Sequence, residues 1–252
     1  MRRKILITGA TGKLGTPMVK YFLKSGDDVI ALGRRETELE LLKDECCNFG
    51  SRLHVLKIDL MQANTSKTLT EELELRSLFP CSLVNNARNL GFLKGNSQGQ
   101  VSTENFLNEF KLGVVVPYEL IMALSLQKQT QLKAVVNIGS IYGSVAHYLP
   151  LYDNPSEESF INYSVTKAAL QHLTKELAVR LSGKKIRINC VALGGVEGRA
   201  NESFRMKYGK QCPAGRMLNE REIMGPIDTL LSDKTDGVTG HTMMVDGGWT
   251  LW

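Results

Sequence analysis

Lys4-Ile5-Leu6-Ile7-Thr8-Gly9-Ala10-Thr11-Gly12-Lys13-Leu14-Gly15 is an apolar run that breaks into three glycines and passes directly into a helical pattern over Leu14 to Lys24. An apolar run of this length followed by glycines reads as a buried strand entering a tight turn. Glycines let the chain turn sharply and let an anionic group approach the backbone at a helix N-terminus, where unpaired N–H groups point outward. Standing after the first strand of a strand–helix–strand pattern, the turn Gly9, Thr11, Gly12, Lys13, Leu14 and Gly15 predicts dinucleotide binding.

Further short apolar runs follow at Asp28 to Gly33, Leu53 to Asp59, Ser82 to Asn85, Lys133 to Ile138, Ile186 to Val191 and Thr242 to Val245. Helical patterns lie between them, including Glu104 to Gln127 and Tyr163 to Leu181. Strands alternating with helices predict an α/β chain with about seven parallel strands, doubly wound and covered by helices on both faces. No repeat, low-complexity tract or Pro/Gly/Ser-rich linker marks a boundary, so residues 1–252 are expected to form one domain.

The composition, 42% hydrophobic and 23% charged, fits a globular enzyme and excludes a disordered or fibrous chain. The net charge of +5 is spread along the chain, which gives no reason to expect a nucleic-acid partner. Cys46, Cys47, Cys81, Cys190 and Cys212 form no CxxC pair, and His54, His147, His172 and His241 are scattered, so free thiols and no metal are expected. The apolar approach before Gly9 is too short for a signal-peptide core, and no run is long enough to span a membrane, so a cytoplasmic location is expected.

The second strand ends before Arg34 and Arg35, where an acidic residue would serve the ribose hydroxyl of NAD. A guanidinium matches a 2′-phosphate in charge and geometry, so NADP(H) is the preferred cofactor and NAD(H) remains possible. Lys13 would add to that positive site. Tyr163 and Lys167 in Tyr-Ser-Val-Thr-Lys are one helical turn apart and share a face. An ammonium held beside a phenol favours its ionised form, which makes proton exchange with an alcohol or carbonyl accessible.

With these segments the chain resembles the short-chain dehydrogenase/reductase family from the first strand to the last residues. Asp59-Leu60, Asn85-Asn86-Ala87, Asn137-Ile138-Gly139-Ser140, Arg187-Ile188-Asn189-Cys190-Val191, Gly194-Gly195-Val196, Thr239-Gly240 and Val245-Asp246-Gly247-Gly248 carry the resemblance. It implies Ser140 as the hydroxyl bonding the reacting oxygen, Tyr163 as acid/base, and Lys167 as the residue that supports the tyrosine and the nicotinamide ribose. It also implies Asp59 and Leu60 at the adenine, Asn86 and Ala87 at the adenosine, Val196 at the carboxamide, and a homodimer or homotetramer.

Three departures bear on function. The turn reads TGxxGxxG, with Gly12 one place earlier than is usual. Gly113 appears where the family carries a relay asparagine, which leaves open a weakly active dinucleotide-binding scaffold. Arg88 replaces the glycine of NNAG and either reaches an anionic substrate or sits at the surface. In addition, residues 145–162 lengthen the segment between Ser140 and Tyr163, and Tyr148 and Tyr152 within it are expected to face the substrate. The Gly139 to Ala146 start and the Ser203 to Met217 stretch resemble the branch found in bacterial surface-sugar and flagellin-modification pathways. That implies an alcohol–ketone couple on a sugar or nucleotide-sugar, with a 3-oxoacyl-[acyl-carrier-protein] reductase as the alternative.

Overall fold

The structure is a computed structural model that describes residues 2–198 and 200–252. Seven strands form one parallel sheet: β1 (Lys4–Thr8), β2 (Asp28–Gly33), β3 (Leu53–Lys57), β4 (Ser82–Asn85), β5 (Ala134–Ser140), β6 (Arg187–Leu193) and β7 (Thr242–Val245). Their order is β3-β2-β1-β4-β5-β6-β7, with Ile5 opposite Val29 on one side and Ser82 on the other. Ile5, Leu6 and Ile7 are all fully buried, which is why β1 reads as a continuous apolar run rather than an alternating one. The helices are α1 (Gly15–Lys24), α2 (Glu36–Glu45), α3 (Thr65–Leu75), α4 (Thr103–Phe110), α5 (Val116–Leu126), α6 (Pro155–Glu158), α7 (Ile161–Arg180), α8 (Glu202–Gln211) and α9 (Met224–Leu231).

Two apolar layers cover the sheet. On one face Met18, Val19, Phe22 and Leu23 of α1 join Ile227, Leu230 and Leu231 of α9 against Ile7, Val84 and Val136. On the other, Leu69 and Leu73 of α3, Leu120 and Leu124 of α5 and Leu177 of α7 pack against Leu6, Leu83 and Ile188. The Rossmann-type doubly wound architecture read from the sequence is therefore present. Because β2 and β4 flank β1, the chain leaves β1 and β4 in opposite directions, and a crevice opens at the carboxyl ends of these strands. Among the described residues no helix is long and apolar enough to cross a membrane.

Boundaries differ in instructive ways. β3 stops at Lys57, short of Asp59, while β5 runs on through Ser140 and β6 through Leu193. The helical run Glu104 to Gln127 is two helices joined by a π-helical turn at Lys111–Val115. Pro117 explains it: proline has no N–H to give the carbonyl four residues earlier, at Gly113, and its ring crowds that carbonyl.

Candidate active site

The crevice is floored by a lattice between the ends of β1 and β4. The Thr8 hydroxyl accepts the main-chain N–H groups of Asn86 and Ala87 at 2.9 and 3.0 Å. In return the Asn86 amide donates to the carbonyls of Thr8 and Gly9, both at 3.1 Å. Gly9 has φ +63°, and a Cβ there would stand 2.8 Å from the Ala87 Cα. Gly15 is equally constrained, since a side chain would overlap the Gly9 carbonyl. Gly12, the displaced glycine, closes the turn by donating its N–H to the Gly9 carbonyl at 3.0 Å. No side chain of the described residues caps the N-terminus of α1; Thr16 donates its N–H to the Gly12 carbonyl at 3.0 Å and Pro17 has none, which leaves the N–H of Gly15 at the head of the helix for an anionic group in the crevice. This cradle fits the pyrophosphate of a dinucleotide.

Around the turn Thr11, Leu14, Arg34, Arg35, Asp59, Leu60, Asn86, Ala87 and Val196 all line one cavity of about 1030 Å³ with Ser140, Tyr163 and Lys167. Asp59 is fixed by the Met61 N–H, which it accepts at 3.0 Å. Two details were not legible beforehand. Glu38, one turn beyond Arg34, pairs with Arg35 and accepts the Thr11 hydroxyl at 3.0 Å. Burial works against its charge, but Arg35 and Thr11 hold the Glu38 carboxyl below its ordinary value. Lys13 does not add its ammonium to the arginine pair as expected. It donates to the carbonyls of Val196 (3.3 Å) and Glu197, beyond β6, whereas Arg34 and Arg35 follow β2.

The other end of the cavity is built by β5 and one face of α7. Tyr163, Lys167 and Gln171 succeed one another at one-turn intervals, so all three meet the end of β5. Lys167 Nζ donates to the Ile138 carbonyl at 2.7 Å, and Gln171 Nε2 donates to the Ser140 carbonyl at 3.0 Å. The Ser144 hydroxyl donates to Gln171 Oε1 at 3.0 Å, so the side chain is held at both ends. Ser140 Oγ itself accepts the Tyr142 N–H at 3.2 Å and is nearly fully buried. Deeper still, Asn137 joins Asn85 (2.8 Å) to Thr174 (2.9 Å) and ties β4, β5 and α7 into one rigid unit. Gln171 was missed by sequence reasoning, though its place on the Tyr163–Lys167 face was a usable signal.

Of residues 145–162, the stretch up to 160 folds into short turns and α6 and packs against α8, and Ile161 and Asn162 open α7. Asp153 accepts from Lys207 at 2.7 Å and Ser203 at 3.3 Å. Tyr152 lines the cavity, and its hydroxyl donates to the Tyr142 hydroxyl at 3.0 Å. Tyr148 does not line it; the ring lies edge-on to Trp249 at 6.3 Å and its hydroxyl accepts from Gln211 at 3.3 Å. Its place on the wall is taken by His147, whose ring is tilted 32° against that of Tyr142 with the centroids 4.0 Å apart, and by Tyr142 itself. Burial pushes the His147 imidazole down to about 4 and the Tyr152 phenol up to about 12, and it also raises Tyr142. This wall is therefore neutral near pH 7 and offers hydroxyls and ring faces. Arg88 lies across from it, its guanidinium 4.5 Å from the Tyr163 ring centroid, while Lys167 Nζ is 5.7 Å from the same centroid.

Residues 9–250 match the family described as Enoyl-(Acyl carrier protein) reductase. Post-translational flagellin modification protein A of Campylobacter coli is 30% identical over 257 residues, 98% of this chain and 98% of that protein. The chain belongs to the short-chain dehydrogenase/reductase family. Among other members of this family, the 3-oxoacyl-[acyl-carrier-protein] reductase FabG of Aquifex aeolicus (strain VF5) is 26% identical over 96% of this chain and 95% of its own length. The short chain dehydrogenase from Leptospira borgpetersenii serovar Hardjo-bovis (strain JB197), solved with bound NAD+, is 26% identical. It superposes with a TM-score of 0.85 over 99% of this chain and 93% of that one. As a member of the family the chain is an NAD(P)-dependent oxidoreductase.

Proposed function

We propose that this short-chain dehydrogenase/reductase interconverts a secondary alcohol and a ketone on a carbohydrate-like substrate, with NADP(H) as the preferred cofactor. The observation that carries the reading is the convergence of Ser140, Tyr163 and an anchored Lys167 at one end of the cavity, faced by a neutral wall of Tyr142, His147 and Tyr152. The bound cofactor supplies or accepts the hydride at the substrate carbon. Tyr163 gives its phenolic proton to the carbonyl oxygen in reduction and takes the hydroxyl proton in oxidation. Ser140, aimed by its link to Tyr142 and the Gln171 clamp, donates a hydrogen bond to the same oxygen and stabilises the charge that develops there. Lys167 is held in place through Ile138 and keeps a positive charge beside the phenol.

Gly9 to Gly15 would cradle the pyrophosphate, Asp59 and Leu60 the adenine, Asn86 and Ala87 the adenosine side, and Val196 the carboxamide. Arg34 is the residue assigned to a 2′-phosphate, because Glu38 already engages Arg35. The insertion 145–162 serves as the substrate-side wall, through His147 and Tyr152. Similarity to the flagellin-modification protein supports a role in carbohydrate biosynthesis, in a cytoplasmic homodimer or homotetramer packed through α4, α5 and α7. The relatedness to 3-oxoacyl-[acyl-carrier-protein] reductases keeps an acyl thioester as the second reading. The two separate cleanly: NADPH-dependent reduction of ketoses without reduction of acetoacetyl thioesters supports the carbohydrate reading, and the opposite pattern supports the acyl one.

A further inference from the structure

Arg88 occupies a position that the proton-transfer chemistry does not require. Its guanidinium lies over the face of Tyr163, within the range of a cation–π contact. Among the described residues no carboxylate or carbonyl pairs with it, so the planar fork of N–H donors is unspent. It lines the cavity and is exposed.

The other cations of the cavity are committed elsewhere. Lys167 donates to Ile138, Lys13 to the carbonyls beyond β6, and Arg35 pairs with Glu38, while Arg34 stands with Arg35 at the end of β2. His147 is uncharged near neutrality, since burial holds it down to about 4. The acidic groups lining the cavity are Glu38, paired with Arg35, Asp59, which accepts the Met61 N–H, and Asp153, Glu157 and Glu158, while Glu109 lies within electrostatic reach of Arg88. Glu109 is buried beneath the site, and burial raises its carboxyl against the pull of Lys167 and Arg88, which weakens it as a counter-ion. Asp153 is taken by Lys207, and Glu157 and Glu158 are exposed on the rim formed by α6.

We infer that Arg88 is an anion anchor, and that the substrate is a hydroxylated ketone or alcohol with one compact anionic group, carboxylate or phosphate, seated on its guanidinium beside Tyr163. This rests on the alcohol–ketone reading above and narrows it. A planar guanidinium matches either group in a forked, charge-assisted pair. The carboxylates of α6 disfavour a substrate with charge spread along its length, which selects a sugar acid or sugar monophosphate over a nucleotide-sugar. Arg88 is a binding and specificity residue here; the proton still moves through Tyr163.

The test uses three ketones with NADPH: neutral D-fructose, 5-keto-D-gluconate and fructose 6-phosphate, on the full chain and on Arg88→Ala and Arg88→Lys. The expected result is that an anionic ketone outperforms fructose in kcat/KM. In Arg88→Ala that ketone loses about tenfold or more in selectivity over fructose, mainly through KM, and Arg88→Lys recovers part of the loss. Preference for 5-keto-D-gluconate assigns a carboxylate, and preference for fructose 6-phosphate a phosphate. Equal losses for neutral and anionic ketones overturn the inference. If the parent turns over none of the three, the alcohol–ketone reading on sugars fails by itself. Calorimetric titration of the NADP+-loaded protein with the two anions then decides the anchor. Saturable binding lost in Arg88→Ala upholds it, and no binding refutes it.

Discussion

Gly113 and Thr166 touch so closely that a Cβ at position 113 would overlap the Thr166 Cγ2 methyl. The contact joins the π-helical turn before α5 to the Tyr163–Lys167 turn of α7, so the glycine is a packing requirement of the site. Read from sequence, the missing side chain left open a weakened enzyme. In the fold an asparagine at this position would first have to displace the Thr166 methyl, so grafting one alone is not expected to restore a relay.

Gly113→Ala is therefore expected to destabilise the protein by about 1–3 kcal/mol, the cost of overpacking a filled core. Thr166→Ser removes the offending methyl, so the double variant should recover most of the loss in urea denaturation. Strict additivity of the two changes would contradict the contact.

In the proposed reading, cofactor preference turns on Arg34 and Glu38. Arg34→Ala should weaken NADPH binding by about tenfold while changing NADH binding little, because only the 2′-phosphate is lost as a partner. Glu38→Gln releases Arg35 and should tighten NADPH binding by several-fold. Fluorescence titration reads both, and equal affinity of the parent for NADPH and NADH removes the phosphate assignment.

His147 predicts a pH dependence of stability. The unfolded imidazole protonates near its ordinary 6.5, whereas the folded one, desolvated by burial, resists the proton until about 4. Its stabilising contribution is therefore complete above 6.5 and is lost progressively as pH falls from 6.5 towards 4. Thermal melts of His147→Gln should fall less steeply than those of the parent across that window; parallel curves would mean that His147 is not desolvated in the fold.

The parallel sheet was legible because it rests on period and punctuation: apolar runs ending at Gly9, Gly33 and Asn85 announce strand ends. That Ser140, Tyr163 and Lys167 meet in one cavity was legible because Tyr163 and Lys167 share a helix face one turn apart and the family resemblance supplied Ser140. What was missed is long-range. Gln171 acts through a carbonyl on another element, Glu38 matters through Thr11 across the turn, and Tyr148 and His147 exchange places because of how the insertion docks on Trp249 and α8. The break in the helix after Phe110 was signalled by Pro117, but its apolar periodicity runs straight across the π-helical turn.

In the proposed reaction Tyr163 carries the proton. This role is tested most directly by Tyr163→Phe, with NADPH binding followed by fluorescence and ketone reduction followed by single-turnover kinetics. Nearly unchanged NADPH affinity and a loss of roughly 10²–10⁴-fold or more in the reduction rate are expected. Reduction at close to the parent rate would contradict that role.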